Sequence, residues 1–154
     1  MSKTCYLVNY LNGNKYTEYA ENVLSGKFIT CQYVKDVCAR FLAWLDREDI
    51  EFRAEKVDRV VRFVENLEHF TGQFAGQKFI LSDWQRFVIY YVYGFYYKNT
   101  NDRVIKHVIL DVSRKNGKTA LVAALALYAL IGEKEENAEV DCLANSKNQA
   151  SILL

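Results

Sequence analysis

The chain contains no proline, so none of its helical stretches is kinked or ended by a ring that lacks an N–H. Its four cysteines, Cys5, Cys31, Cys38 and Cys142, show no C-x-x-C spacing. That pattern supplies neither a zinc ligand set nor a disulfide framework and reads as buried thiols. No apolar run reaches the roughly eighteen residues of a membrane span, and the stretch from Ala120 to Gly132 is too short. The amino terminus has no charged, apolar and small-residue series of the signal-peptide kind, so a cytoplasmic setting without membrane contact is expected. Excess charge of one sign is missing too. A net charge of +1 gives no electrostatic field by which this chain alone would attract nucleic acid. The two histidines, His69 and His107, lack partners at ligand spacing and read as structural or surface residues.

What is present is one domain's worth of chain, 154 residues with 51% hydrophobic content, enough for a substantial core. Tyr16 to Leu24 is helical in pattern and closes on Ser25-Gly26, a turn or helix end. From Thr30 onward Tyr33, Val34, Val37, Phe41, Leu42 and Leu45 recur at helical spacing, up to the charged run Asp46 to Asp49. A third helix is expected over Glu55 to Glu68, with Val57, Val60, Val61, Val64 and Leu67 as its apolar stripe. Gly72 and Gly76 around Phe74 mark a linker or tight loop. Ser82 or Asp83 is placed to cap a fourth helix through Trp84, Phe87, Val88, Tyr91 and Val92 to a break at Gly94. After a polar turn at Asn99 to Asp102, a strand is expected from Val104 or Ile105 to Val112. The Ala-rich stretch from Ala120 to Ile131, the charged connection Glu133 to Asn137 and a second strand at Val140 to Ala144 complete a β-α-β unit, whose strands should be parallel. A further helix is expected from about Lys147, and its unfinished apolar face at Leu154 reads as a sequence cut short. The fold class expected is α/β, with a helical region over 1–70 and the start of a P-loop NTPase parallel sheet over 71–154.

Between the first expected strand and its helix lies S-R-K-N-G-K-T, Ser113 to Thr119. The pattern G-x-x-x-x-G-K-[ST] holds at Gly117, Lys118 and Thr119 and fails at Val112, where the first Gly would stand. Strand, tight polar loop and helix in this order are what a polyphosphate needs: unpaired N–H groups at the positive end of a helix dipole. Gly117 allows close approach, Lys118 brings a compact charge to the β/γ-phosphates, and the Thr119 hydroxyl suits Mg²⁺. Ser113, Lys115 and Asn116 supply loop backbone donors, and Arg114 and Lys115 add two cations. The competing reading is an ordinary hairpin turn at Asn116-Gly117, against which Ala120, Ala123, Ala124 and Ala126 favour helix.

Taken in order, these segments resemble the large terminase subunit of tailed bacteriophages, the ATP-driven motor that packages viral DNA into a preformed head. The resemblance is carried by Y-A-E-N-V-L-S-G-K at Tyr19 to Lys27, Cys38-Ala39-Arg40, H-F-T-G-Q-F-A-G-Q-K-F at His69 to Phe79, and L-S-D-W-Q-R-F at Leu81 to Phe87. It continues through Ser113 to Thr119 and Gln149-Ala150, leaving out only the first fifteen or so residues. The family tolerates a residue other than Gly at the position of Val112. The resemblance implies a γ-phosphate contact for Arg114, with a plain surface arginine as the alternative, since a guanidinium can grip two oxygens at once. It implies that Gln85 reads the adenine edge through an amide that both donates and accepts. Trp84 would flank the base or pack in the core.

Two parts of the family pattern are not in the sequence: an apolar strand ending in Asp-Glu (Walker B), which positions the attacking water, and the carboxylate-rich nuclease domain. Asp111, Glu133, Glu135 and Glu136 do not fill the first role. The resemblance therefore implies a chain that binds ATP with Mg²⁺, while hydrolysis and DNA cleavage belong to the full-length family. Implied partners are double-stranded DNA, a small terminase subunit and a portal protein, in a homo-oligomeric ring in the cytoplasm of a bacterial host. Two other readings stand beside it: an unrelated helicase-like P-loop ATPase, and a non-catalytic interaction protein or remnant with a vestigial site.

Overall fold

The computed structural model describes residues 14–68, 76–133, 138–141 and 143. In chain order they form α1 (Glu18–Leu24), α2 (Gln32–Leu45), β1 (Ile50–Phe52), α3 (Ala54–Glu65), α4 (Asp83–Gly94), β2 (Phe95–Tyr97) and α5 (Lys118–Leu127), the last running into a π turn at Tyr128–Gly132. Contacts divide the chain into two compact units. The first takes residues through Val57 together with Ser82–Val108, and the second takes Asp58–Leu81 with the residues from Ile109 on.

The first unit is built on aromatic side chains. Phe41, fully buried on α2, meets the rings of Phe87, Phe95, Tyr91 and Phe52 at centroid distances of 5.2, 5.3, 5.8 and 5.9 Å. Each such pair adds about 0.5–1.5 kcal/mol beyond the area it buries, and this is where much of the tyrosine and phenylalanine of the sequence is used. Tyr16 closes the cluster edge-on to Tyr90 and Phe52. Ser25 ends α1, and Gly26 takes a left-handed φ of +81°, as the sequence pattern required. On α2 Phe41 of the expected stripe is buried, as is Cys38 outside it, while Tyr33, in the same expected run, is exposed.

A two-stranded antiparallel sheet pairs Ile50 with Tyr97, Glu51 with Tyr96 and Phe52 with Phe95. Neither strand was expected, because three residues are too few to show a period of two. The sheet constrains Gly94, the last residue of α4: a Cβ there would overlap the Phe52 ring. Beyond β2, Asn101 adopts a left-handed φ of +66° in the expected polar turn. Arg53 holds that turn, bonding to Asn101 Oδ1 and Glu51 Oε1 while its guanidinium lies 4.5 Å from the centre of the Tyr96 ring.

In the second unit, Val60, Val61 and Val64 of α3 are buried, as their spacing anticipated. Phe63 stacks edge-on against Tyr128 at 5.3 Å. The Phe79 N–H donates to the Leu67 carbonyl at 2.9 Å, and Glu68 pairs with Lys78. The helix after the loop forms as expected, with Leu121 and Ala124 buried.

The expected parallel sheet is not among the described residues. Residues 105–113 carry no ladder, Ile109 is 97% exposed, and Val140, Asp141 and Leu143 are likewise unpaired. The physical reason is that a strand exists through hydrogen bonds to a neighbour. The run Val108-Ile109-Leu110 announced apolar character, not a partner, and Cys142 and Ala144 of the expected second strand lie outside the described residues. The loop residues Gly72 and Phe74, most of the connection Glu133 to Asn137, the helix from Lys147, and His69, Cys5 and Gln149 also lie outside them. Among the described residues no helix is long and apolar enough to cross a membrane, and no three His, Cys, Asp or Glu side chains group to hold a metal ion.

Candidate functional site

The loop from Ser113 to Gly117 is a tight turn that opens directly into α5, not the turn of a hairpin. The Ala-rich sequence explains this, since alanine loses no side-chain entropy on entering a helix. Lys115 and Gly117 both have left-handed φ, +68° and +73°, whereas Arg114 and Asn116 between and before them do not. Alternation of this kind turns successive backbone N–H groups toward one concave side, an anion-binding geometry. For Gly117 it costs nothing. For Lys115 it is strained, by about 1–2 kcal/mol.

The first N–H groups of α5 have no intrahelical acceptors and lie at the positive end of its dipole. The Leu121 N–H is the first to find one, in the Gly117 carbonyl at 3.0 Å. The Lys118 side chain, half-buried, folds back across the loop, and its Nζ donates to the carbonyl of Val112 at 3.1 Å. Asn116 Nδ2 donates to Ser113 Oγ at 2.6 Å. Arg114, Lys115 and Thr119 are exposed, and among the described residues Arg114 and Lys115 have no ion-pair partner. Ser113, Arg114, Lys115, Asn116, Gly117, Lys118 and Thr119 thus form one contiguous cluster of donors and cations. Such an arrangement can hold a polyanion.

Trp84 and Gln85 belong to the first unit, at the start of α4, and the loop belongs to the second. Trp84 is half-buried and Gln85 buried. Gln85 Oε1 accepts the backbone N–H of Ser82 at 2.9 Å, completing a capping box. That role was legible in the sequence as S-x-x-Q, Ser82 to Gln85, and only its Ser82 half was anticipated. His107 is exposed. Cys38 is buried, and burial pushes its thiol up to about 11. Cys31, by contrast, is exposed at the start of α2, a departure from the reading of all four thiols as buried.

Residues 83–154, which contain α4, the loop and α5, match the family model described as terminase large subunit, ATPase domain. Through these residues the chain is similar to the terminase large subunit family. A terminase large subunit of Enterobacteria phage HK97 is 34% identical over 98 residues, covering 62% of this chain and 18% of the relative. The chain therefore spans less than a fifth of the length of that terminase. No solved structure matches.

Proposed function

We propose that this chain is the ATP-binding portion of a terminase large subunit, part of the motor that drives phage DNA into a prohead. The observation that supports it most is the donor loop opening α5, with two cations that lack an ion-pair partner among the described residues and a lysine folded over it, inside the stretch that matches an ATPase domain. Arg114, Lys115 and Lys118 offset the charge of a triphosphate, and the N–H groups of Ser113 to Thr119 receive its oxygens. Arg114 grips the terminal phosphate, where a guanidinium stabilises charge as phosphoryl transfer proceeds. The Thr119 hydroxyl, exposed beside the loop, is the oxygen donor fit for Mg²⁺, which supplies charge neutralisation of the phosphates when bound. Gln85 reads the adenine edge with the amide that also caps α4, its carbonyl oxygen keeping a second lone pair, and Trp84 flanks the base.

In this reading 1–70 is a helical region and 71–154 the first part of a P-loop ATPase domain, with the segment before the loop as a strand of its parallel sheet. The working motor is a homo-oligomeric ring in the cytoplasm of a bacterial host. It translocates double-stranded DNA on a portal with a small terminase subunit. A thermal-shift titration with Mg·ATP tests the core of it. Ligand at a hundredfold excess over the wild-type Kd stabilises the chain by about 2.7 kcal/mol, and Lys118→Ala should cut that gain to about 0.4–1.4 kcal/mol. Absence of any shift for wild type at millimolar nucleotide would favour a non-catalytic interaction protein.

A further inference from the structure

Ser113 and Asn116 form a tie across the loop that neither the motif nor the cations require. Asn116 Nδ2 lies 2.6 Å from Ser113 Oγ and 3.4 Å from the Ser113 carbonyl oxygen. A carbonyl oxygen only accepts, so the amide face turned toward it is the NH₂, and the orientation of the carboxamide is fixed. Ser113 Oγ is therefore an acceptor in this pair. A serine hydroxyl has one proton and two lone pairs. With a lone pair engaged by Asn116, its proton is left to donate, and among the described residues the side chain has no other partner.

The hydroxyl belongs to the residue that follows Val112, whose carbonyl holds the Lys118 ammonium. It thus sits within the span that Lys118 closes, beside Arg114 and Lys115, which lack counter-ions among the described residues. We propose that the Ser113 hydroxyl donates to a phosphate oxygen of the bound nucleotide, and that Asn116 is the positioning residue that orients it. The inference rests on the nucleotide reading above and adds a side-chain donor at a residue to which that reading gives only a backbone role. A hydroxyl donating to an anionic oxygen is a charge-assisted bond, of the stronger class.

Calorimetric titration of Mg·ATP into wild type, Ser113→Ala, Ser113→Thr, Asn116→Ala and the double variant Ser113→Ala/Asn116→Ala tests it. Ser113→Ala and Asn116→Ala should each weaken binding about tenfold. The double variant should lose no more than Ser113→Ala alone, because Asn116 acts through the hydroxyl. Ser113→Thr, which keeps the hydroxyl, should bind within about twofold of wild type. Both residues are exposed, so the melting midpoints without nucleotide should agree among all five proteins. Wild-type affinity in Ser113→Ala, or losses that add in full in the double variant, would overturn the pair's role and leave the nucleotide reading standing. No binding by wild type would overturn both.

Discussion

Lys118 Nζ donates to the backbone carbonyl of Val112 at 3.1 Å, so the lysine at the end of the loop is tied to the residue where the loop departs from the glycine pattern. The contact uses main chain at Val112, and any residue can supply a carbonyl. This gives a physical reason why a valine can stand there. Lys118→Ala should lose Mg·ATP affinity by about one to two orders of magnitude, the range of a hydrogen bond to a charged group. Val112→Ala should bind within about threefold of wild type in the same titration. Equal losses in the two variants would mean that the valine side chain, not its carbonyl, matters.

Lys115 is one of two described non-glycine residues with positive φ. Its strain belongs to the folded state, so Lys115→Gly should raise stability or leave it unchanged. Lys115→Val, whose branched Cβ tolerates that φ least, should lower it by about 1–2 kcal/mol. Urea midpoints compare the two. A stable Lys115→Val would show that the loop relaxes to an unstrained backbone and that the alternating geometry is not maintained.

In the first unit Gly94 sits tightly against Phe52. A methyl at residue 94 overlaps the ring, and overpacking of this kind costs about 1–3 kcal/mol. Gly94→Ala should be destabilised by that amount, and Phe52→Leu in the same chain should recover part of it by yielding space. If Gly94→Ala melts with wild type, the sheet edge is looser than its geometry indicates.

Alkaline pH should unfold the first unit progressively. Burial raises the Cys38 thiol from 9.0 to about 11 and moves the Tyr19 hydroxyl above 10.0, with the nearby Cys38 and Asp83 adding to the Tyr19 shift. In each case the folded state disfavours the charged form. The stabilisation is complete below the unfolded value and is lost as pH rises through the folded one. For Cys38 that window runs from 9.0 to about 11. Cys38→Ala should be less stable at neutral pH, from the cavity it leaves, yet fall less steeply through the window. A parallel fall in both proteins would assign the loss to other groups.

The helices and the loop were legible because their signals are local. Val60, Val61 and Val64 recur on one face, Gly26 ends a helix, and Gly117-Lys118-Thr119 precedes alanines. The pairing of Ile50–Phe52 with Phe95–Tyr97 was not legible, because it joins segments more than forty residues apart through three residues each. Nor does composition say that Asn116 reaches Ser113, or that Lys115 accepts a strained φ. These depend on how the turn closes. Gln85 shows the converse: the same S-x-x-Q string carries both a helix cap and the proposed base contact.

Those two roles of Gln85 can be separated by experiment. Gln85 Oε1 accepts the Ser82 N–H, and glutamate at the same helix position accepts equally well and interacts favourably with the dipole. Gln85→Glu should therefore keep the cap while losing some stability to the burial of its charge, and Gln85→Ala loses about 1 kcal/mol with the cap. Glutamate lacks the amide N–H that a base edge would use. If Gln85 reads adenine, Gln85→Glu should bind Mg·ATP about tenfold more weakly than wild type while binding inorganic tripolyphosphate unchanged. If instead ATP binding is unaltered in a stable Gln85→Glu chain, the glutamine is a helix cap alone and the adenine is recognised elsewhere.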